Sequence, residues 1–177
     1  IPTFLGYNGF PASICASINE QVVHSMPNKD VILKEGDIVS IDVGATFRGL
    51  VGDGAWTYPV GKISSEVQKL LEVTKNALFK GIEQMIPDSP LELVSAAIED
   101  AALEGKVGIV REYGGHGVGK NMHEEPFLFN YRTNSKIIIK PNCAIAIEPM
   151  LNLGCDEVHT LEDNWTVVTN DKKRAVI

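Results

Sequence analysis

Sulfur, positive charge and long apolar runs are all scarce in this chain, and each scarcity excludes something. Its 177 residues include three cysteines, Cys15, Cys143 and Cys155, an odd number without CxxC spacing. That count excludes a disulfide framework and reads as reduced thiols in a cytoplasmic compartment. No apolar run approaches the roughly 18 residues a membrane-spanning helix needs, so no membrane partner is expected. Glycine shows no three-residue period, which excludes a collagen, and 44% hydrophobic residues are too many for a disordered chain. Sixteen Lys+Arg against 23 Asp+Glu give a net charge of −7, which argues against direct nucleic-acid binding. There is no initiator methionine and no signal peptide ahead of Ile1. The chain therefore reads as processed or as an excerpt, with any organelle-targeting segment outside it.

What is present is ordinary globular composition with a clear succession of elements. Residues 38–43 form a run rich in β-branched residues and predict a strand. Residues 49–59 are expected to fold back on it as a hairpin around residues 45–48. Ser65 with Gln68 offers a capping box, after which Val67, Leu70, Leu71, Leu78, Ile82 and Met85 keep a helical period. Ser89-Pro90-Leu91-Glu92 gives a second helix start, with Leu91, Val94, Ile98 and Ala101 as its apolar stripe and Gly105 at its end. Strands are predicted again over 107–112, 137–139, 143–148 and 165–169. Residues 113–135 read as a long loop, of a length that is usually functional. This order predicts a single α+β domain over 1–177, a curved and mostly antiparallel sheet with helices on one face.

Three tempting motifs fail on chemistry. Residues 114–120, Gly-Gly-His-Gly-Val-Gly-Lys, look like a phosphate loop, but Asn121 stands where Ser or Thr should hold Mg²⁺, and His123-Glu124-Glu125-Pro126 makes a poor helix. His123-Glu124 lacks the second histidine that a helical zinc site requires. No G-x-S-x-G elbow occurs, which removes the commonest serine-hydrolase signature.

Carboxylates in apolar strands are more informative. Period two puts Ile38, Ser40 and Asp42 on one face and Val39, Ile41 and Val43 on the other. An ionised Asp42 in such a strand is costly unless paired, hydrogen-bonded or metal-bound. The hairpin could bring Asp53, in Gly52-Asp53-Gly54, onto the same face, and two carboxylates that close repel unless a cation lies between them. Glu148 projects from a small-residue face beside Ala144 and Ala146, and His116 is flanked by glycines that let backbone approach closely. Taken singly, each reads as a buried ion pair or a turn aspartate. Taken together, two Asp, one Glu and one His suit Mn²⁺, Fe²⁺, Co²⁺ or Zn²⁺ rather than a structural cysteine site. Bridging carboxylates are also what a two-metal hydrolytic centre uses.

These residues lie in motifs with a known order. Tyr7-Asn8-Gly9-Phe10-Pro11-Ala12-Ser13-Ile14-Cys15, Asn19-Glu20-Gln21-Val22-Val23-His24, Ile41-Asp42-Val43-Gly44, Gly52-Asp53, Gly115-His116-Gly117-Val118-Gly119, His123-Glu124-Glu125-Pro126 and Ile147-Glu148-Pro149-Met150 follow one another as in type I methionine aminopeptidases. The chain resembles that family along nearly its whole length. The short span from His123 to Glu148 leaves no room for the helical insert of the type II enzymes. Asn8, Ser25-Met26 and Val51 depart from the family pattern, and none of them is a metal ligand.

The resemblance implies the pita-bread fold, two divalent ions and removal of the initiator methionine from nascent polypeptides whose second residue is small, with the ribosome as a partner. By the same resemblance Asp42 chelates one ion, Asp53 bridges both, and His116 and Glu148 hold the other. His123 contacts the scissile carbonyl, His24 contacts the peptide backbone, and Glu148 also shuttles a proton. Tyr7, Phe10, Cys15, Met122 and Trp165 match positions that line the methionine pocket, where a thiol suits a thioether. The family's fifth ligand, a Glu in an aromatic-Glu-His motif, is expected beyond Ile177. Residues 165–177 accordingly read as a hairpin cut in its second strand, and helices are expected before Ile1. A non-catalytic pita-bread module, and an aminopeptidase of other specificity, are the alternatives.

Overall fold

The computed structural model describes residues 1–177. Twelve strands and two α-helices follow in the order β1 (Cys15–Ile18), β2 (Gln21–Val23), β3 (Ile38–Phe47), β4 (Leu50–Pro59), α1 (Ser65–Glu83), α2 (Glu92–Gly105), β5 (Gly108–Ile109), β6 (Gly115–Gly117), β7 (Glu124–Leu128), β8 (Ile145–Ala146), β9 (Leu151–Asn152), β10 (Val158–Thr160), β11 (Val167–Thr169) and β12 (Ala175–Val176). They form four three-stranded sheets, ordered β1-β3-β4, β10-β11-β2, β12-β9-β5 and β7-β6-β8. Every ladder is antiparallel, where the order of elements predicts a mostly antiparallel sheet. No helix is long and apolar enough to cross a membrane.

The β3–β4 hairpin is longer and tighter than expected. Pairing continues to Phe47 opposite Leu50, so the turn is only Arg48-Gly49. Both turn residues have positive φ, 51° and 81°, the backbone of a two-residue turn whose twist matches the flanking strands. The inner face carries Ser40, Asp42, Asp53 and Thr57, while Val43, Phe47, Leu50, Trp56 and Tyr58 are exposed on the outer face.

Helix α1 starts one residue earlier than the capping box implies. Ser64 is the N-cap and its Oγ accepts from the Val67 amide at 3.3 Å, while Gln68 turns to donate to Glu72. The buried stripe also rotates: Val67 and Leu70 are buried, followed by the small residues Thr74, Ala77 and Gly81 rather than Leu78 and Ile82. Small residues win because α2 crosses there, and Ile98 lies directly against Gly81. The start predicted at Ser89-Pro90 is instead a bridge, Pro90 to Ile138, and α2 begins at Glu92 without a side-chain cap. The Glu92 carboxylate accepts from the amides of Thr133, Asn134 and Ser135, tying a distant loop to the helix. The stripe of Leu91, Val94, Ile98 and Ala101 is buried as expected, in a core shared with Leu70, Leu128 and Leu151.

Three further expectations need correction. The supposed loop 113–135 contains β6 and β7, paired with each other. Of residues 137–139, Ile138 makes only the isolated bridge to Pro90. Residues 165–177 are not one hairpin: β11 pairs with β10 and β2, whereas β12 pairs with β9. A turn held by Asp171, which accepts from Cys155 and Lys173, carries the chain from one sheet to the other.

Candidate metal centre

The hairpin places the two aspartates. Asp42 lies opposite Ala55 and Asp53 opposite Gly44, so they are diagonal neighbours on one face with only small residues between them. Burial, then the charges of Asp53 and Glu148, pushes Asp42 up to about 8.

The second half comes from short strands. His116 pairs with Phe127 on β7 and Ala146 on β8, and Glu148 stands two residues beyond Ala146. Glycine is required on both sides of the histidine, because a Cβ on Gly115 would overlap the Ala146 carbonyl and one on Gly117 would overlap that of Glu125. The fully buried Asn130 donates through Nδ2 to the Glu148 carbonyl at 2.8 Å and fixes that turn of backbone.

The ligating atoms of Asp53, His116 and Glu148 all lie within 4.8 Å of one another. His116 Nε2 is 3.3 Å from Asp53 Oδ2 and 3.1 Å from Glu148 Oε1. Its Nδ1 is 2.8 Å from the Gly117 carbonyl, which can only accept, so Nδ1 carries a proton and Nε2, facing the two carboxylates, is the nitrogen that would coordinate once its own proton is displaced. Burial acts to lower the imidazole, yet contact with Asp53 and Glu148 outweighs it and raises His116 to about 10. Glu148 is also raised, chiefly by burial. Although Glu148 Oε1 is buried and close to His116, it has no aligned hydrogen bond. An orphaned buried carboxylate oxygen among oxygen-rich donors is what a divalent cation would satisfy, and the residues fit one.

Two further histidines wall the cleft above this cluster. His24 holds a left-handed backbone, φ 61°, and its ring meets Tyr113 edge-on at 5.6 Å. The His123 ring lies 4.2 Å from that of His116, and its Nδ1 is 2.8 Å from Tyr7 Oη. Burial lowers both histidines from their ordinary value; His123 adds to the effect on His24, and His116 to that on His123. Asp42, His24, His116, His123 and Glu148 share a cavity of about 390 Å³. A second cavity of about 300 Å³ lies between α1 and β4 and reaches Asp42, Asp53 and Glu148 without touching a histidine. The first is therefore the chemically equipped cleft. Sequence reasoning missed Tyr113 and Asn130 there; Tyr113 leads directly into Gly114-Gly115-His116, and Asn130 is a polar residue in the apolar run 127–131.

Of the five expected pocket residues, Phe10, Cys15, Met122 and Trp165 meet in one cluster, with the unforeseen Phe4. Phe10 meets Trp165 edge-on at 5.1 Å. Cys15 lies opposite Asp42 across β1 and β3. Burial and the nearby Asp42 and Asp53 push its thiol up to about 12, so it remains a neutral, soft wall beside the carboxylates. Tyr7 stands at the cluster's edge, half-turned to solvent and bonded to His123.

Residues 4–170 match the model of metallopeptidase family M24. The chain is 51% identical over 175 residues to methionine aminopeptidase 1 of Bacillus subtilis, covering 98% of this chain and 70% of that protein. The chain belongs to family M24. Within it, the methionine aminopeptidase of Thermotoga maritima superimposes with a TM-score of 0.96 at 41% identity, covering 99% of this chain and 71% of that one. A prolidase of Thermococcus sibiricus, 22% identical with a TM-score of 0.68, shares the fold alone. The M24 chain is thus a pita-bread metallopeptidase on the methionine aminopeptidase branch, as its ordered motifs implied. The phosphate-loop likeness dissolves, since residues 115–117 form a strand and no helix follows.

Proposed function

We propose that this chain is a metal-dependent aminopeptidase that removes the initiator methionine from nascent polypeptides. The observation that carries this reading is the Asp53–His116–Glu148 cluster, together with the cleft that Asp42, His116 and Glu148 share with His24 and His123. Asp53, His116 and Glu148 would hold one divalent ion, and Asp42 with the shared Asp53 a second; Mn²⁺, Fe²⁺, Co²⁺ and Zn²⁺ all suit the donors. When bound, such ions supply Lewis acidity toward the scissile carbonyl and make water acidic enough to attack at neutral pH.

The remaining work falls to the protein's own groups. Burial keeps the His123 imidazole neutral, so it offers an N–H to the carbonyl oxygen as charge develops there. Glu148, whose proton affinity is raised, can accept a proton from the attacking water and deliver it to the departing amine. His24, in the same cleft, touches the peptide backbone. The cluster of Phe10, Cys15, Met122 and Trp165, edged by Tyr7, receives the methionine side chain, its thiol and thioether matched to the substrate sulfur.

Residues 1–177 belong to a single catalytic domain, nascent chains with a small second residue are the substrates, the cytoplasm is the working place and the ribosome a partner. All four ligands and both histidines are retained, which a purely binding module would have no need to keep.

Two measurements test the proposal on the full-length protein. Chelation should abolish release of methionine from a Met-Ala-Ser peptide, and manganese, iron, cobalt or zinc should restore it. His123→Ala should lower turnover about 100-fold while metal content stays intact, because the contact strengthens in the transition state. Unchanged turnover in that variant, or a preference for leading proline or leucine, overturns the assignment.

A further inference from the structure

Tyr7 carries a feature that pocket lining does not use. Its hydroxyl is 2.8 Å from His123 Nδ1, although 116 residues separate the two in sequence. A side chain that only lined an apolar pocket would have no reason to aim its one polar atom at a histidine. The backbone that presents it is unusually constrained: Gly6, Asn8 and Gly9 all have positive φ, at 83°, 49° and 88°. The loop closes on itself, with the Gly6 amide donating to the Phe10 carbonyl at 2.8 Å and the Phe10 amide donating to the Tyr7 carbonyl at 2.9 Å. Phe4 and Phe10 anchor both ends in the apolar cluster, and Phe10 is itself braced by Trp165. The tyrosine hydroxyl is therefore held by a rigid bracket.

We infer that Tyr7 is a positioning residue: its hydroxyl donates to His123 Nδ1 and thereby fixes the tautomer and ring angle that leave Nε2–H as the donor facing the cleft. A phenol is a good donor and a weak acceptor, and the unprotonated nitrogen of a neutral imidazole is a good acceptor. The reverse arrangement, Nδ1–H donating to the phenol oxygen, would turn a lone pair toward the substrate carbonyl, where two acceptors would oppose each other. A neutral histidine has one N–H, so the partner at one nitrogen decides what the other can do. Without that partner His123 would divide between tautomers, and only one of them could stabilise negative charge on oxygen. The inference rests on the reading of His123 as the carbonyl donor, and it assigns to Tyr7 the state of that donor.

Tyr7→Phe keeps the ring and the pocket wall and removes only the hydroxyl. In metal-free protein labelled with ¹⁵N-histidine, at a pH where His123 is neutral, the wild type should show an unprotonated Nδ1 and a protonated Nε2. The Tyr7→Phe protein should show both ¹⁵N shifts of His123 moved toward each other, as a tautomer mixture. In the loaded full-length enzyme the same variant should lose about fivefold in turnover, the size expected for one neutral hydrogen bond, with KM for a methionyl peptide and metal content unchanged. An identical His123 spectrum in the two proteins, or a wild-type spectrum with Nδ1 protonated, overturns the inference. The spectrum reads the hold of Tyr7 on the ring whether or not His123 touches substrate, whereas His123→Ala tests the donor role alone, so failures of the two readings appear in different variants.

Discussion

The two halves of the metal centre are built on opposite plans. Asp42 and Asp53 stand on ten-residue strands paired in full register, where side-chain period alone sets which face each carboxylate occupies. His116 and Glu148 are held by strands of two to five residues, and their positions depend on backbone lying nearly in contact with backbone. In the first half no glycine faces backbone: a methyl group added at Gly52 or Gly54 would meet nothing within 4 Å, and one at Gly44 would meet only the Phe4 ring. In the second half glycine is structural, because Gly114, Gly115 and Gly117 each face a carbonyl oxygen that a Cβ would overlap. A long strand can thus carry a ligand by pattern, whereas a short one carries it by close approach.

The largest expected effect tests that contrast directly. Gly115→Ala should destabilise the fold by about 3–5 kcal/mol, since neither backbone can give way without displacing His116 or Ala146. Gly54→Ala, on the long hairpin, should stay within about 0.5 kcal/mol. Urea unfolding of both variants gives the comparison, and similar losses in the two would show that the halves do not differ as described.

Metal and pH sharpen the same comparison, because each half contributes a group that holds its proton too tightly. His116, raised from 6.5 to about 10 by its carboxylate partners despite burial, stabilises the metal-free fold fully below pH 6.5 and loses that contribution as pH climbs through about 10. Asp42, raised from 3.8 to about 8 by burial and by Asp53 and Glu148, has the same sign: its contribution is whole below pH 3.8 and lost as pH rises through about 8. The metal-free protein should therefore melt at progressively lower temperature from pH 5 to pH 9. A divalent ion must displace those protons, so its stabilising effect should grow over the same window. At a hundred times its Kd the ion adds about 2.7 kcal/mol, and Glu148→Gln should remove that gain. Calorimetry with and without manganese checks both slopes; a flat metal-free profile would mean that Asp42 and His116 do not hold their protons as their surroundings imply.

The difference between the halves also explains what could be read from residues alone. The hairpin faces were legible because Asp42 breaks an apolar alternation, and the α2 stripe because four apolar residues keep one period. His116 stood out by its glycines, but its strands did not, since three residues of Gly-His-Gly carry no period and no β-propensity. Asn130 and Tyr113 were invisible for a related reason: one acts through a backbone carbonyl and the other through a ring edge, contacts that leave no mark on local pattern. The ordered motifs bridged this gap by resemblance, not by periodicity. In α1 the predicted stripe failed where Thr74, Ala77 and Gly81 are buried for their smallness, which hydrophobicity does not report.

The smallest effect concerns the hairpin turn and tests how far pattern alone governs the legible half. Arg48 holds φ 51° ahead of Gly49, a backbone that suits asparagine better than arginine. Arg48→Asn creates the preferred Asn-Gly turn and should gain about 0.5–1 kcal/mol, because asparagine adopts the left-handed backbone at lower cost. Against this, Arg48 lies over the Phe47 ring at 5.1 Å. That exposed cation–π contact is worth about 0.5 kcal/mol and would be lost. The net expectation is a gain of no more than about 0.5 kcal/mol in urea unfolding, with metal retention unchanged because Asp42 and Asp53 lie well down the ladder from the turn. A clear loss of stability would mean that the Arg48–Phe47 contact, and not turn chemistry, sets the register on which both aspartates depend.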